Sequence, residues 1–276
     1  MNLFNIFNEI EKADPEVYER LDDRRAALKQ FTGFAGKVAA VSVPLMFSSM
    51  LKKAYGQTGG TNADIAGVLN FALTLEYLES EFYKHAVATS GLIPSADLAG
   101  ITSIRDHEVA HVAFLRTAIQ QLGGTPVSFT YSNFDYTAHG AYPTVFSNYD
   151  TFLAVSQAFE DTGVRAYKGQ AGNLISNKTI LTAALQIHSV EARHASHIRK
   201  LRKDRGATVK PWITGNDAGG VPGVTAVYAG EENTTQAGVQ ITGINGMSIS
   251  ANAASEAFDE PLTKDQVLAI ATPFLA

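Results

Sequence analysis

The chain contains no cysteine among its 276 residues, which excludes disulfides, thiolate metal ligands and cysteine nucleophiles. An excess of basic residues is also absent, because 22 Lys and Arg stand against 27 Asp and Glu, and this balance does not favour a nucleic-acid partner. No apolar run reaches the roughly 18 residues that a membrane-spanning helix needs, so we expect no stable membrane span. Phosphate-binding glycine loops and the Gly-x-Ser-x-Gly nucleophile motif are missing as well.

Residues 61–206 show the periodicity of amphipathic helices almost throughout. Capping residues and glycine or proline breaks predict four helices, at about 61–88, 95–123, 150–172 and 179–205. The first and third connections are short, whereas residues 125–148 form one long central connection. This order predicts an all-α core built as a four-helix bundle with a single crossover.

Residues 1–60 have the order of a twin-arginine export signal. A polar leader, the pair Arg24-Arg25, a weakly apolar segment at 31–51 and small residues before Gln57 follow one another. The sequence therefore predicts an exported, periplasmic protein that begins near Gln57. The alternative is an amphipathic helix packed on the main domain, in which case residues 1–56 are retained and the protein is cytoplasmic.

Residues 207–276 form a Gly-rich extension in which the helical pattern fades. This region has two Lys and seven acidic residues, so it carries the whole net charge of −5. Short β-like runs such as Val239-Gln240-Ile241 are followed by a last apolar stretch at 265–275, which predicts a short helix. Because it has few large apolar side chains with which to form its own core, we expect the extension to wrap the bundle.

An internal repeat runs through the four predicted helices. Each half reads Glu-x6-Tyr on one helix and Glu-x-x-His on the next. Its members are Glu76, Tyr83, Glu108 and His111 in the first half, and Glu160, Tyr167, Glu191 and His194 in the second. A single Glu-x-x-His is weak evidence because chance also produces it, but two in corresponding frames of a repeat are much stronger.

The repeat has the chemistry of a two-metal site. Residues three apart on a helix project from one face, so each Glu-x-x-His pair can hold one metal ion, the two ions lying across the bundle axis from each other. Glu76 and Glu160, from the other two helices, complete the shell by binding or bridging. Four carboxylates and two imidazoles suit iron or manganese. The sequence therefore predicts two Fe (or Mn) ions per chain.

These residues resemble the ferritin-like di-iron carboxylate superfamily. Within it, the segments 69–79 (LNFALTLEYLE) and 106–111 (DHEVAH) are similar to an exported, desiccation-associated ferritin-like group. The resemblance covers about residues 61–206 and implies a ferritin-like four-helix bundle with a di-metal centre between its helices. It also implies a leader segment and a loop-rich tail outside the bundle.

Several neighbouring residues compete for a role at the site. Glu79 lies on nearly the same helix face as Glu76, but its counterpart in the repeat is Gly163, which favours Glu76 as the ligand. Tyr83 and Tyr167 are candidates to hydrogen-bond the ligand carboxylates, although as core tyrosines they need only some polar partner. Three further histidines break the repeat and are expected to be surface or satisfied core residues: His107, His188 and His197.

Three functions remain open at this point. The first is a di-iron or di-manganese protein that reacts with a small oxidant, oxygen or peroxide, in iron oxidation or in protection against oxidative or desiccation stress. The second is a stress-associated structural or binding protein in which the metal is a staple. The third is peroxide disproportionation of the manganese catalase kind. A homo-oligomer is compatible with each, whereas the long terminal regions argue against a ferritin cage.

Overall fold

The computed structural model describes residues 61–276, all within one compact unit. Four long helices make up its first two thirds: α1 (Asn62–Ala88), α2 (Leu98–Gln121), α3 (Tyr149–Ala171) and α4 (Lys178–Asp204). They form the predicted all-α bundle, with the crossover between α2 and α3. The export signal predicted within residues 1–60 lies outside the described residues.

The helix ends follow local capping chemistry. Thr61 and Asp64 form a reciprocal capping box at the start of α1. The side chains of Asn148 and Asn177 accept backbone N–H groups at the starts of α3 and α4, at 2.9 and 3.1 Å. Gly123 follows α2 with a φ of +81°, a conformation that glycine adopts without a steric penalty. These signals are readable in the sequence, so the predicted ends differ from the observed ones by only a few residues.

The bundle is assembled from two helix pairs, α1 with α2 and α3 with α4. The pairs repeat each other in detail: the Arg116 Nη1 donates to the Tyr77 hydroxyl at 2.6 Å, while Arg199 Nη2 donates to Asp161 Oδ2, also at 2.6 Å. These four positions correspond in the internal repeat. The sequence repeat is therefore a structural pseudo-symmetry of the two pairs.

Aromatic side chains fill the interior between the pairs and the crossover connection. Phe82 on α1 is fully buried and packs against Tyr136 and Phe146 of the crossover and against Phe152 and Phe159 of α3. The Tyr136 hydroxyl donates to the Leu78 carbonyl at 2.9 Å, so its polar end is satisfied despite burial. The crossover is therefore part of the core.

The C-terminal extension has little regular structure. It contains the hairpin strands β1 (Thr235–Gln236) and β2 (Val239–Gln240), helix α5 (Ala251–Ser255) and helix α6 (Lys264–Ala271). Positive φ angles at Ala237 and Gly238 form the hairpin turn. Single 3-10 turns complete the described part of the chain, at Tyr131–Asn133, Gly172–Leu174, Thr225–Tyr228, Ile244–Gly246 and Thr272–Phe274.

Buried polar contacts fasten the extension to α3. The Arg165 side chain donates from Nε to the Glu260 carbonyl and from Nη2 to the Ala229 carbonyl, at 2.8 and 2.7 Å, and its Nε lies 2.8 Å from Glu231 Oε1. The Tyr228 hydroxyl donates to Asp161 at 2.8 Å. Burying such groups is tolerable only when each has a partner, and these do. In residues 61–276 no helix is both long and apolar enough to cross a bilayer.

Candidate metal centre

Six side chains of the repeat meet in the middle of the bundle, and all six are buried. Their ligand atoms form two overlapping groups, and within each group the atoms lie within 4.8 Å of one another. The first group is Glu76, Glu108, Glu191 and His111; the second is Glu160, Glu108, Glu191 and His194. Each group combines carboxylates with one imidazole, the donor set that iron and manganese accept.

Glu108 and Glu191 belong to both groups. The sequence left open whether Glu76 and Glu160 bind or bridge, and in the structure each of these belongs to one group only. The two glutamates of the Glu-x-x-His motifs, Glu108 and Glu191, are therefore the residues that the two groups share. This arrangement follows from the bundle geometry, since α2 and α4 both contribute to each group.

The two imidazoles present the same nitrogen to the cluster. His111 Nδ1 lies 3.1 Å from Glu76 Oε2 and 3.3 Å from Glu191 Oε1. His194 Nδ1 lies 2.9 Å from Glu108 Oε1 and 3.3 Å from Glu160 Oε2. These distances place each histidine beside carboxylates from other helices, with the Nδ1 atoms facing inward.

The centre contains buried polar atoms that no protein group satisfies. Both carboxylate oxygens of Glu108 and of Glu191, together with Glu160 Oε2 and His194 Nδ1, lack a hydrogen-bond partner despite complete burial. The short distances from His194 Nδ1 to Glu108 and Glu160 do not have hydrogen-bond geometry. Such atoms are costly to bury unpaired. Two divalent cations offset four carboxylates in charge and give these atoms ligand bonds, so the residues fit a di-metal group.

The charges of the cluster shift its pKa values strongly. Burial, together with the charge of Glu108, raises the pKa of Glu76 to about 8. Burial disfavours the imidazolium of His194, but Glu160 and Glu108 outweigh it and raise the pKa of His194 to about 11. Carboxylates act in the same direction on His111, whose pKa is raised despite burial. Without metal, protons supply part of the positive charge that these carboxylates require.

The two tyrosines of the repeat bind ligand carboxylates in a crossed pattern. The Tyr83 hydroxyl, on α1, donates to Glu160 Oε1 on α3 at 2.5 Å. The Tyr167 hydroxyl, on α3, donates to Glu76 Oε1 on α1. Each tyrosine thus occupies the Oε1 atom of a glutamate whose Oε2 faces an imidazole. The hydrogen bonds fix the orientation of both carboxylates.

Glu79 is a fifth buried carboxyl beside the cluster. It is only 3% exposed, although the sequence favoured Glu76 over it and placed it at the margin of the site. Burial and the charges of Glu191 and Glu108 raise its pKa well above the usual value. Gly163 makes room for it, because a Cβ there would lie 3.4 Å from Glu79 Oε1 and 3.0 Å from Glu191 Oε2. Glu79 is therefore a buried carboxyl next to the candidate ligand carboxylates, and its surroundings favour the protonated form.

His107 contacts the cluster from outside. Its Nδ1 lies 2.9 Å from His194 Nε2, the nitrogen that faces away from the carboxylates, and the two rings are nearly parallel. A proton on His194 Nε2 that is donated to His107 leaves Nδ1 free as a ligand. The repeat gave no signal for this role, because the counterpart of His107 is Val190, which has no side-chain hydrogen-bonding group.

His188 and His197, which flank ligand positions on α4, lie outside both ligand groups. His188 Nδ1 donates to the Val164 carbonyl at 3.0 Å, so it is a satisfied, partly buried side chain. His197 Nε2 is buried without a hydrogen-bond partner, close to Gly100, where an added Cβ would lie 2.6 Å from it. Neither belongs to a ligand group among the described residues.

Comparison with known proteins agrees with this geometry. A family model described as a ferritin-like domain matches residues 64–204, slightly more than half of the chain. The matched span runs from the first turn of α1 to the end of α4 and includes all six ligand-type side chains. A search among curated proteins finds no match.

Proposed function

Because this chain belongs to the ferritin-like domain family, we propose that it binds two iron or manganese ions that react with oxygen or peroxide. The observation that carries the proposal is the pair of overlapping buried ligand groups that share Glu108 and Glu191. Bound there, the ions supply one electron each to a small oxidant, or the Lewis acidity that cleaves a peroxide. Iron oxidation and protection against oxidative or desiccation stress are the uses that the resemblance implies.

The protein's own residues prepare the site for this chemistry. Tyr83 and Tyr167 hold Glu160 and Glu76 so that one oxygen of each faces an imidazole. His107 keeps the Nδ1 of His194 available when its own Nδ1 accepts a hydrogen bond from His194 Nε2. Burial and the charge of Glu191 raise the pKa of Glu79, which favours a protonated carboxyl beside the centre. Apolar packing by the helices around the cluster excludes bulk water.

Repeated reduction of an oxidant would need electrons from fresh iron(II), bound as a substrate, or from a separate donor. The chain has no cysteine, so it cannot carry the thiolate-bound iron of a rubredoxin-like module. A self-contained peroxidase of the rubrerythrin kind is therefore not our proposal.

Anaerobic loading of the full chain with iron(II), followed by a pulse of oxygen or peroxide, tests the function. We expect stoichiometric consumption of the oxidant and a ferric absorbance that requires two ions per chain. The same pulse on manganese-loaded protein distinguishes a catalase, which releases dioxygen from peroxide over many turnovers. A metal-loaded protein that reacts with neither oxygen nor peroxide contradicts the proposal. That result supports the alternative in which the metal ions have only a structural role.

We also propose that the protein belongs to the exported, desiccation-associated branch. Support comes from the segments at 69–79 and 106–111 and from the twin-arginine pattern in residues 1–60. Any homo-oligomer is proposed to be smaller than a ferritin cage, since residues 207–276 add bulk to the bundle. Light scattering on the purified protein gives the mass directly, and a 24-subunit particle contradicts this proposal.

A further inference from the structure

A cavity lies between α3, the crossover connection and the C-terminal extension. It has a volume of about 320 Å³, and its walls come from α3, the crossover connection, the segment at 222–227 and α6. Among the described residues, none of those that line it is charged. The lining includes Tyr142, Phe159, Val227, Ile270 and Phe274. The volume is within the range of small-molecule sites.

The chemistry of the walls restricts what fits. Tyr142 contributes the one side-chain hydroxyl among the described lining residues, and this group already donates to the Pro222 carbonyl at 2.5 Å. A charged ligand would lose its hydration here and gain no counter-charge, which is costly. An uncharged apolar molecule loses little and buries its surface against aromatic and aliphatic side chains.

A smaller space, which we call the neck, shares two wall residues with this cavity and touches residues beside the candidate metal centre. Phe159 and Ile270 line both the cavity and this smaller space, of about 10 Å³, which also touches Glu79 and Gly163. That volume is at the lower limit for a single water molecule. At its far end, a Cβ on Gly163 would come within 3.0 Å of Glu191 Oε2. The absence of a side chain at Gly163 therefore keeps the end of the neck open against a ligand carboxylate.

The backbone is strained in a loop that borders the cavity, at residues 138–140. Ala138, His139 and Gly140 have consecutive positive φ angles of +48°, +55° and +92°, and Ala138 lines the cavity. Two successive non-glycine residues in this region are unusual. Backbone strain of this kind is retained where the surrounding structure requires it, often beside ligand sites. In this loop, the strained backbone places the small side chain of Ala138 against the cavity.

We infer that the cavity binds a small, uncharged, predominantly apolar organic molecule whose inner end reaches the neck beside Gly163. The ligand class follows from the walls alone. Only the use of this molecule at the metal centre rests on the proposed function. Binding is therefore testable in the metal-free full chain, where failure of metal loading has no bearing on the result.

Toluene and 1-hexanol are suitable probes, with hexanoate as the charged control of the same chain length. Saturation-transfer NMR on the full chain should show binding of both neutral probes, at least tenfold tighter than that of hexanoate. The Ala269→Phe variant fills the cavity from α6 and should abolish the signal, as should Ala226→Leu from the opposite wall. Ala113→Phe, on the exposed face of α2, is the matched control and should leave binding unchanged.

Glycine-selective 15N labelling tests the neck. On addition of toluene, the amide resonances of Gly223, in the cavity wall, and of Gly163, at the neck, should shift, while that of Gly67 on α1 should not. A shift at Gly223 alone overturns the connection to the metal centre. Equal binding of hexanoate, or undiminished toluene binding by folded Ala269→Phe and Ala226→Leu, overturns the apolar site itself.

Discussion

Two histidines one turn apart on α4 have very different surroundings. His194 Nδ1 faces the carboxylates of Glu108 and Glu160, whereas His197 lies beside Gly100 and outside both ligand groups. Replacing His194 with Ala removes the only nitrogen ligand of one group and leaves its carboxylates buried without compensation. We expect the affinity for one metal ion to fall by about 100-fold or more, beyond the loss typical of an outer hydrogen-bond partner. Oxidant consumption should cease.

The His197→Ala variant is the matched control for this experiment. It makes the same substitution on the same helix, and we expect two metal ions to remain bound, as measured by elemental analysis after gel filtration. Thermal unfolding of both metal-loaded variants should show a lower melting temperature for His194→Ala only. Equal metal loss in the two variants would show that the ligand assignment on α4 is displaced by one turn.

Metal uptake at this centre should release protons. The raised pKa of Glu76, about 8, means that its carboxyl is mostly protonated at pH 7, and the raised pKa of His194, about 11, means that its imidazole is charged. Both must lose a proton to bind metal, so affinity should rise with pH by about tenfold per unit for each proton displaced. The contribution of Glu76 should level off near pH 8, while that of His194 continues above it. Calorimetric titration with manganese(II) in buffers of different ionisation enthalpy counts these protons. A pH-independent affinity without proton release would contradict the shifts.

The sequence predicts which six side chains come together in the bundle far better than it predicts their mutual contacts. Helical spacing and the repeat select Glu76 over Glu79 and place each glutamate and histidine on an inner face. Which carboxylate each tyrosine binds depends on how the helix pairs dock, and the crossed bonds of Tyr83 and Tyr167 could not be derived from spacing. The contact of His107 with His194 joins α2 to α4 and has no counterpart in the repeat.

At the scale of elements, α3 depends on a glycine for its contact with the extension. A Cβ on Gly169 would lie 1.9 Å from the Leu262 carbonyl oxygen, and the Leu262 N–H donates to the Arg165 carbonyl at 3.1 Å. The Gly169→Ala variant should therefore displace the extension and lower the free energy of unfolding by about 1–3 kcal/mol, as overpacking does. Urea unfolding measures this difference.

A glycine on α1 provides the control for that variant. Nothing lies within 4 Å of a Cβ built on Gly67, so Gly67→Ala should stabilise the helix by roughly 0.5–1 kcal/mol through its higher helix propensity. Opposite signs for the two alanine variants are the expected result. Stabilisation by both would mean that the backbone at Leu262 does not pack against α3 as described.

The four long helices were predictable because their periodicity and caps are local properties. The structure of the C-terminal extension was less predictable from the sequence. Its apolar stretch at 265–275 predicts the short helix that is observed as α6 (Lys264–Ala271), and the β-like run around Val239 lies in the hairpin. Its attachment, in contrast, depends on single long-range partners such as Arg165 and Tyr228, which no periodic pattern indicates.

At the scale of the whole molecule, two equivalent helix pairs perform unequal tasks. The ligand positions and their tyrosines are duplicated, but Glu79 is matched by Gly163 and His107 by Val190. Because of these two differences, one side of the centre has the solvent-exposed His107. The other side has the buried carboxyl of Glu79 and the neck. In the described residues, α6 of the extension lines the neck together with α3. The pseudo-symmetric bundle thus provides the candidate metal site, and its departures from symmetry make the two sides of that site different.

The last prediction concerns the route of the whole chain. A twin-arginine signal exports folded proteins, which suits a centre whose buried ligands are best filled before the chain leaves the cytoplasm. N-terminal sequencing of the native protein should therefore find a start near Gln57. The double variant Arg24→Lys, Arg25→Lys keeps the charge but removes the arginine pair, and it should leave full-length, metal-loaded protein in the cytoplasm. A native chain that begins at Met1, or a double variant exported as efficiently as the unaltered protein, would show that residues 1–60 serve another purpose.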